Sequence, residues 1–116
     1  MTDSDAVETI QFLVQGSSPQ PYTVTIRRIG KNLSAYCTCN SGLRGGVCYH
    51  RTSIFEGKAD RIVSDNAEQV ADVVRWLPGT DVAAALRAHE EAKSRLELAR
   101  KAEGEAKQAL ISAMRD

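Results

Sequence analysis

Apolar and polar positions alternate over Val7-Glu8-Thr9-Ile10-Gln11-Phe12-Leu13-Val14-Gln15, with Ile10, Phe12 and Val14 on one side. A period of two is that of a half-buried strand. Gly16-Ser17-Ser18-Pro19-Gln20-Pro21 is a loop by composition. Alternation resumes over Tyr22–Arg28, with Tyr22, Val24 and Ile26 inward, and again over Leu33–Cys37, with Leu33, Ala35 and Cys37 on one face. Gly30-Lys31-Asn32 between them reads as a hairpin turn. The pattern predicts a three-stranded antiparallel meander, and its phase carries Cys37 and Cys39 onto the face of Leu33.

The period then becomes helical. Tyr49 to Glu56 predicts a short helix stopped by Gly57, and Ile62-Val63 a short strand or packing plug. Asp65 with Glu68 three residues on has the spacing of a capping box. The helix it would open runs from Ala67 to Leu77, with Val70, Val73, Val74 and Leu77 at helical spacing, and ends at Pro78-Gly79. Trp76 is expected to be a core anchor near that end. Thr80 or Asp81 can cap a last helix from Val82 to about Met114, on the order of 50 Å long. A helix of that length either projects from a small domain or breaks, and Gly104 is its weak internal point. Glu91–Arg95, Glu97–Lys101 and Glu103–Lys107 have the favourable i,i+4 order. Ala85, Ala88, Ala92, Ala99, Ala102, Ala106, Ala109 and Ala113 recur in steps of three and four, interrupted at Arg95 and flanked by Leu86, Leu96, Leu110 and Met114. That is the coiled-coil period. The expected class is α+β: a meander, a metal knuckle and a short helix over 1–62, then a helical region over 63–116.

Composition narrows the classes. The chain has 116 residues, with 15 Lys and Arg balanced by 15 Asp and Glu. Neutrality argues against a uniformly basic nucleic-acid coat protein and an acidic disordered tail. No apolar run approaches the roughly 20 residues of a membrane span, and the polar Met1-Thr2-Asp3-Ser4-Asp5 does not read as a signal peptide.

All 3 cysteines, Cys37, Cys39 and Cys48, lie close together, and His50 follows two residues after the last. An odd, clustered set is no disulfide framework. The alternatives to a metal site are buried thiols, which have no reason to cluster with a histidine, and a redox sensor, which would use a low-pKa exposed thiolate. Three thiolates and an imidazole complete a tetrahedral zinc set, which leaves no open position and so reads as structural. Cys-x-Cys on an extended segment puts both sulfurs on one face. Asn40-Ser41-Gly42-Leu43-Arg44-Gly45-Gly46-Val47 has the glycines to fold back and deliver Cys48 and His50. A core this small seldom supplies more than about 3–5 kcal/mol alone, whereas a structural zinc contributes about 10 kcal/mol or more.

Cys-x-Cys, an eight-residue spacer and Cys-x-His resemble the SWIM zinc finger, through Cys37, Cys39, Cys48 and His50. The likeness spans roughly residues 22 to 57. It implies a β-hairpin leading into the Cys-x-Cys, a helix starting around the Cys-x-His, and one zinc ion per chain. The family often has proline after the second cysteine, where this chain has Asn40, and a basic residue where it has Tyr49. SWIM modules occur in chromatin-remodelling ATPases, transposases, recombination accessory proteins and ubiquitin ligases, and are taken to bind DNA or proteins.

Two partner classes follow. A nucleic-acid surface would draw on Arg27, Arg28, Lys31, Arg44, Arg51 and Lys58, a mild patch rather than a basic stripe. A protein adaptor or inhibitor would use the C-terminal helix, and a homodimer would form through Ala92, Leu96, Ala99, Ala106 and Leu110. No enzyme, membrane or small-molecule substrate is expected: His89 sits among charged neighbours without a nucleophile or carboxylate constellation. Reduced thiols suit a cytoplasmic setting.

Overall fold

The computed structural model describes residues 7–115; the polar stretch Met1-Thr2-Asp3-Ser4-Asp5 lies outside the described residues. The chain divides into two compact units at Ala83/Ala84. The first carries β1 (Val7–Val14), β2 (Tyr22–Ile29), β3 (Asn32–Cys37), α1 (Asn40–Leu43), α2 (Tyr49–Phe55) and α3 (Val70–Trp76). The helix following Val63 therefore lies in the same unit as the strands.

The strands form an antiparallel sheet in the order β1-β2-β3. Gly30 has φ +59, the left-handed value that the first central residue of a two-residue II′ hairpin loop needs. This short loop fixes the register: Ile26 faces Ile10 and Ala35, and Val24 faces Phe12 and Cys37. The alternation thus places every inward residue of the three strands on one face. Phe12, Val24 and Ile26 are fully buried there. α2 packs against β3 and α3 against α2. They bring Ile54 and Phe55, then Val70 and Val73, into the core. Gly57, at φ +86, ends α2 as expected.

The segment after α2 closes the free edge of β1. Val14 bridges to Ile62. Gln15 N–H donates to the Arg61 carbonyl at 2.8 Å and Val63 N–H to the Leu13 carbonyl at 2.8 Å. Leu13 N–H donates to Ser64 Oγ at 3.1 Å, and Asn66 Nδ2 donates to the Gln11 carbonyl at 2.8 Å. Otherwise unpaired strand groups are thereby satisfied. The capping box expected of Asp65 and Glu68 does not form, because the N-cap falls one residue later, at Asn66. The helix opens with a 3-10 turn at Ala67–Gln69, and its N-cap, Asn66, makes no side-chain cap bond. The Asn66 carboxamide is committed instead to Gln11, Gln69 and Ser64. Trp76 also differs from expectation. It is only half-buried, and the Arg28 guanidinium lies over its ring, 5.9 Å from the centroid.

The last helix, α4 (Asp81–Arg115), is 35 residues long and runs unbroken through Gly104. Thr80 is its cap: the Ala83 N–H donates to Thr80 Oγ1 at 3.1 Å. No residue of α4 is buried. Leu96, Leu98, Leu110 and Met114 are exposed. Among the described residues, none of the three i,i+4 pairs closes to an ion pair. No helix of the described residues is long and apolar enough to cross a membrane.

Phe12→Ala should lower the stability of the first unit by about 3–5 kcal/mol in urea unfolding. Leu13→Ala, one residue along on the other face, should cost well under that. Gly104→Ala, where an added methyl meets open space, should strengthen α4 by about 1 kcal/mol, read by circular dichroism on heating.

Candidate metal centre

The sheet delivers the first ligand. Cys37 closes β3 on the core face, paired with Val24. The ladder extends one residue further: Thr38 N–H donates to the Thr23 carbonyl at 3.1 Å, and Thr23 N–H to Thr38 Oγ1 at 2.9 Å. This anchor holds the chain extended through Thr38, so Cys39 returns to the buried side. Cys37 and Cys39 are both buried.

The spacer is more ordered than a glycine loop. Cys39 caps the single-turn helix α1, its Sγ accepting the Gly42 N–H at 3.3 Å. Gly46 N–H then donates to the Ser41 carbonyl at 2.8 Å, and Ser41 Oγ to the Val47 carbonyl at 2.9 Å. These bonds fold the chain back to Cys48, the N-cap of α2. His50 lies in the first turn of that helix. Gly42 matters through its missing side chain. A Cβ there would stand 2.4 Å from the Cys37 carbonyl oxygen. α1 can lie against the end of β3 only because this residue is glycine.

One ligand atom from each of Cys37, Cys39, Cys48 and His50 lies within 4.8 Å of all the others. Cys37 Sγ is 3.7 Å from His50 Nδ1. The imidazole is held from behind. The Tyr22 ring packs on it with centroids 5.0 Å apart. A Cβ on Gly16 would come within 2.5 Å of the Tyr22 ring and 2.9 Å of His50 Nε2. Burial, with a smaller contribution from the Arg61 charge, lowers the His50 pKa and favours the neutral ring that a metal ligand needs.

The sulfurs are electrostatically unequal. Burial pushes the Cys37 thiol up to about 12, against the lowering pull of the Cys39 backbone. Burial also raises Cys39, but the Gly42 N–H and the neighbouring cysteines outweigh it, and its pKa falls below the usual thiol value. The four residues therefore form a group that could hold a metal ion.

The six cations expected at a nucleic-acid surface separate into two sets. The Arg51 guanidinium turns inward, with Nε donating to Cys48 Sγ at 3.2 Å, Nη1 to the Ala35 carbonyl at 3.1 Å and Nη2 to the Gly46 carbonyl. Arg28 pairs with Glu8 at 3.7 Å and donates to the Gly30 carbonyl. Lys58 pairs with Glu56 at 3.3 Å, which raises its pKa, and lies over the Tyr49 ring. Arg27, Lys31 and Arg44 are exposed, and no ion pair involves them among the described residues. His89 is exposed on α4.

Residues behind the ligands were harder to read from sequence. Gly42 stands three residues after Cys39, but a thiol is not among the usual helix caps, so the spacing gives little signal. Gly16 and Tyr22 carry none, because a glycine in a polar loop and a strand tyrosine look ordinary. Compared with protein-family models, curated proteins and solved structures, the chain matches none. The likeness to SWIM fingers therefore rests on four residues and their spacing.

Gly42→Ala should displace α1 from β3 and disperse the ligand group, seen as faster alkylation of all three cysteines. Gly16→Ala should act more narrowly. It should shift the Tyr22 and His50 ring resonances and leave the shifts of α4 unchanged.

Proposed function

We propose that this chain is a non-enzymatic interaction module whose first unit is fixed by one structural zinc ion. The convergence of three sulfurs and a ring nitrogen within 4.8 Å carries the reading. A tetrahedral zinc site with bonds of about 2.3 Å to sulfur has sulfur-to-sulfur edges of about 3.8 Å. The 3.7 Å separation of Cys37 Sγ and His50 Nδ1 already has that scale. Three buried thiols facing one another cannot all ionise without a cation among them. The donor set, thiolate-rich with one imidazole, suits zinc over harder, oxygen-seeking ions.

When bound, the ion would supply a cross-link among β3, the cap of α1 and the first turn of α2. With four protein ligands it would have no place for a reacting group. The chain's work is then to present surfaces. α4 supports a protein partner or a second copy of the chain. Its alanine seam, with Ala92, Ala99 and Ala106 beside Leu96 and Leu110, has the stepping of a helix interface, and both leucines are exposed. A nucleic-acid partner is the second reading, favoured by the exposure of Arg27, Lys31 and Arg44. Reduced thiols suit the cytoplasm in either case.

Native mass spectrometry should find one zinc per chain. Chelation, or Cys39→Ser, should abolish the near-UV signal and the cooperative melting of the first unit. A chelated sample that keeps both would overturn the zinc reading. For the partner, Ala99→Glu and Ala106→Glu should break self-association or capture by a protein partner in sedimentation experiments. Binding to mixed single- and double-stranded DNA should be weak even at about 50 mM salt. Tight DNA binding that collapses by about 200 mM salt, and is lost in Arg27→Glu with Arg44→Glu, would favour the nucleic-acid reading instead.

A further inference from the structure

Arg51 lies one residue beyond His50, on the first turns of α2. Its guanidinium reaches three acceptors on three different segments. They are Cys48 Sγ at the start of α2, the Ala35 carbonyl on the outer edge of β3, and the Gly46 carbonyl in the spacer. Each of its three nitrogens serves one of them. A planar fork with fixed N–H directions can do this; a lysine ammonium at the same place could not span all three.

The charge also fits. A divalent ion on three thiolates and a neutral imidazole leaves one net negative charge in a largely buried place. Among the described residues Arg51 forms no ion pair. Its Nε donates to the Cys48 sulfur, which would carry negative charge as a metal-bound thiolate. A charge-assisted donor on a thiolate lowers the energy of the sulfur lone pairs and makes the sulfur less nucleophilic.

We infer that Arg51 is a positioning residue of the metal centre: its guanidinium neutralises the thiolate cluster at Cys48 and locks the spacer to β3, so the ligand that closes the site is also the one shielded from attack. The inference rests on the metal reading above. It weighs against Arg51 as part of a nucleic-acid surface, because three of its five N–H donors are already committed within the first unit.

The test uses the full chain, loaded with Zn2+ for affinity and with Co2+ for spectroscopy. In Arg51→Gln, competition with a chromophoric chelator should show Zn2+ affinity weakened by about tenfold to a hundredfold. The sulfur-to-cobalt charge-transfer band should move to longer wavelength. In the zinc-loaded protein, iodoacetamide should modify Cys48 ahead of Cys37 and Cys39. Arg51→Lys, which keeps the charge and loses the fork, should not restore the affinity. Arg44→Gln, an exposed residue of the same spacer, should behave as wild type. Unchanged affinity and an unmoved band in Arg51→Gln would overturn the inference, and so would full recovery in Arg51→Lys. The lysine variant decides the matter if the glutamine variant fails to fold. A wild-type chain that takes up neither ion overturns the metal reading itself, which separates that failure from one confined to Arg51.

Discussion

Three sulfurs and one imidazole nitrogen brought within 4.8 Å of one another are the constraint on which the first unit depends. Thiols this close repel as thiolates and bury poorly as a group. The surroundings answer that in opposite ways at neighbouring positions: burial drives Cys37 up to about 12, while the Gly42 N–H helps draw Cys39 down. The nearest counter-charge that the chain itself offers is the Arg51 guanidinium on Cys48. One guanidinium could not balance three thiolates, and the four residues form a group that could hold a metal ion.

The rest of the unit serves that convergence. The two-residue turn at Gly30 sets the register that faces Cys37 with Val24. Pairing of Thr38 with Thr23 carries the extended backbone past the strand end. The bare faces of Gly42 and Gly16 let α1 and the β1–β2 loop close on the ligands from two sides. Ile54 and Phe55 pin α2 into the core one turn after His50, so the histidine is placed by the hydrophobic core as much as by the site. Packing and ligand geometry are thus one cooperative unit, and loss of either should be felt by both.

Much of this was legible in the sequence. A period of two placed all three strands within a residue or so, because one face of the sheet is buried and the other is not. Thr80 at the start of α4 and Gly57 at the end of α2 were readable as local stop and start chemistry. The grouping of Cys37, Cys39, Cys48 and His50 followed from residue type and spacing. Two of the misses share a cause, which is a side chain used over a long sequence distance. The cap was expected at Asp65, yet it falls at Asn66, whose amide bonds the Gln11 carbonyl on β1. Trp76 looked like core, yet it offers its face to Arg28 from another element. The order in α1 was hidden because a cysteine acts as its cap, and thiols are not among the usual capping residues.

The same lesson bears on how surface charge should be counted. Six cations read from sequence form a mild basic patch, but a cation attracts a polyanion only with the charge its own neighbours leave uncompensated. Arg51 faces a sulfur, Arg28 faces Glu8 and Lys58 faces Glu56. Arg27 projects from the outer face of the sheet, one residue from the buried Ile26. Arg44 follows the last residue of α1, and Lys31 lies in the hairpin turn. Three cations on three separate elements form a sparse footprint for a phosphate backbone, which rewards charges set in a line. α4 instead repeats one chemical pattern over 35 residues with its leucines open to contact. Alanine buries little area per residue, so such a seam gains its strength from length and close approach of backbones. A long, regular helix is the kind of surface that supplies both, and it is the surface on which the proposed protein partner would rest.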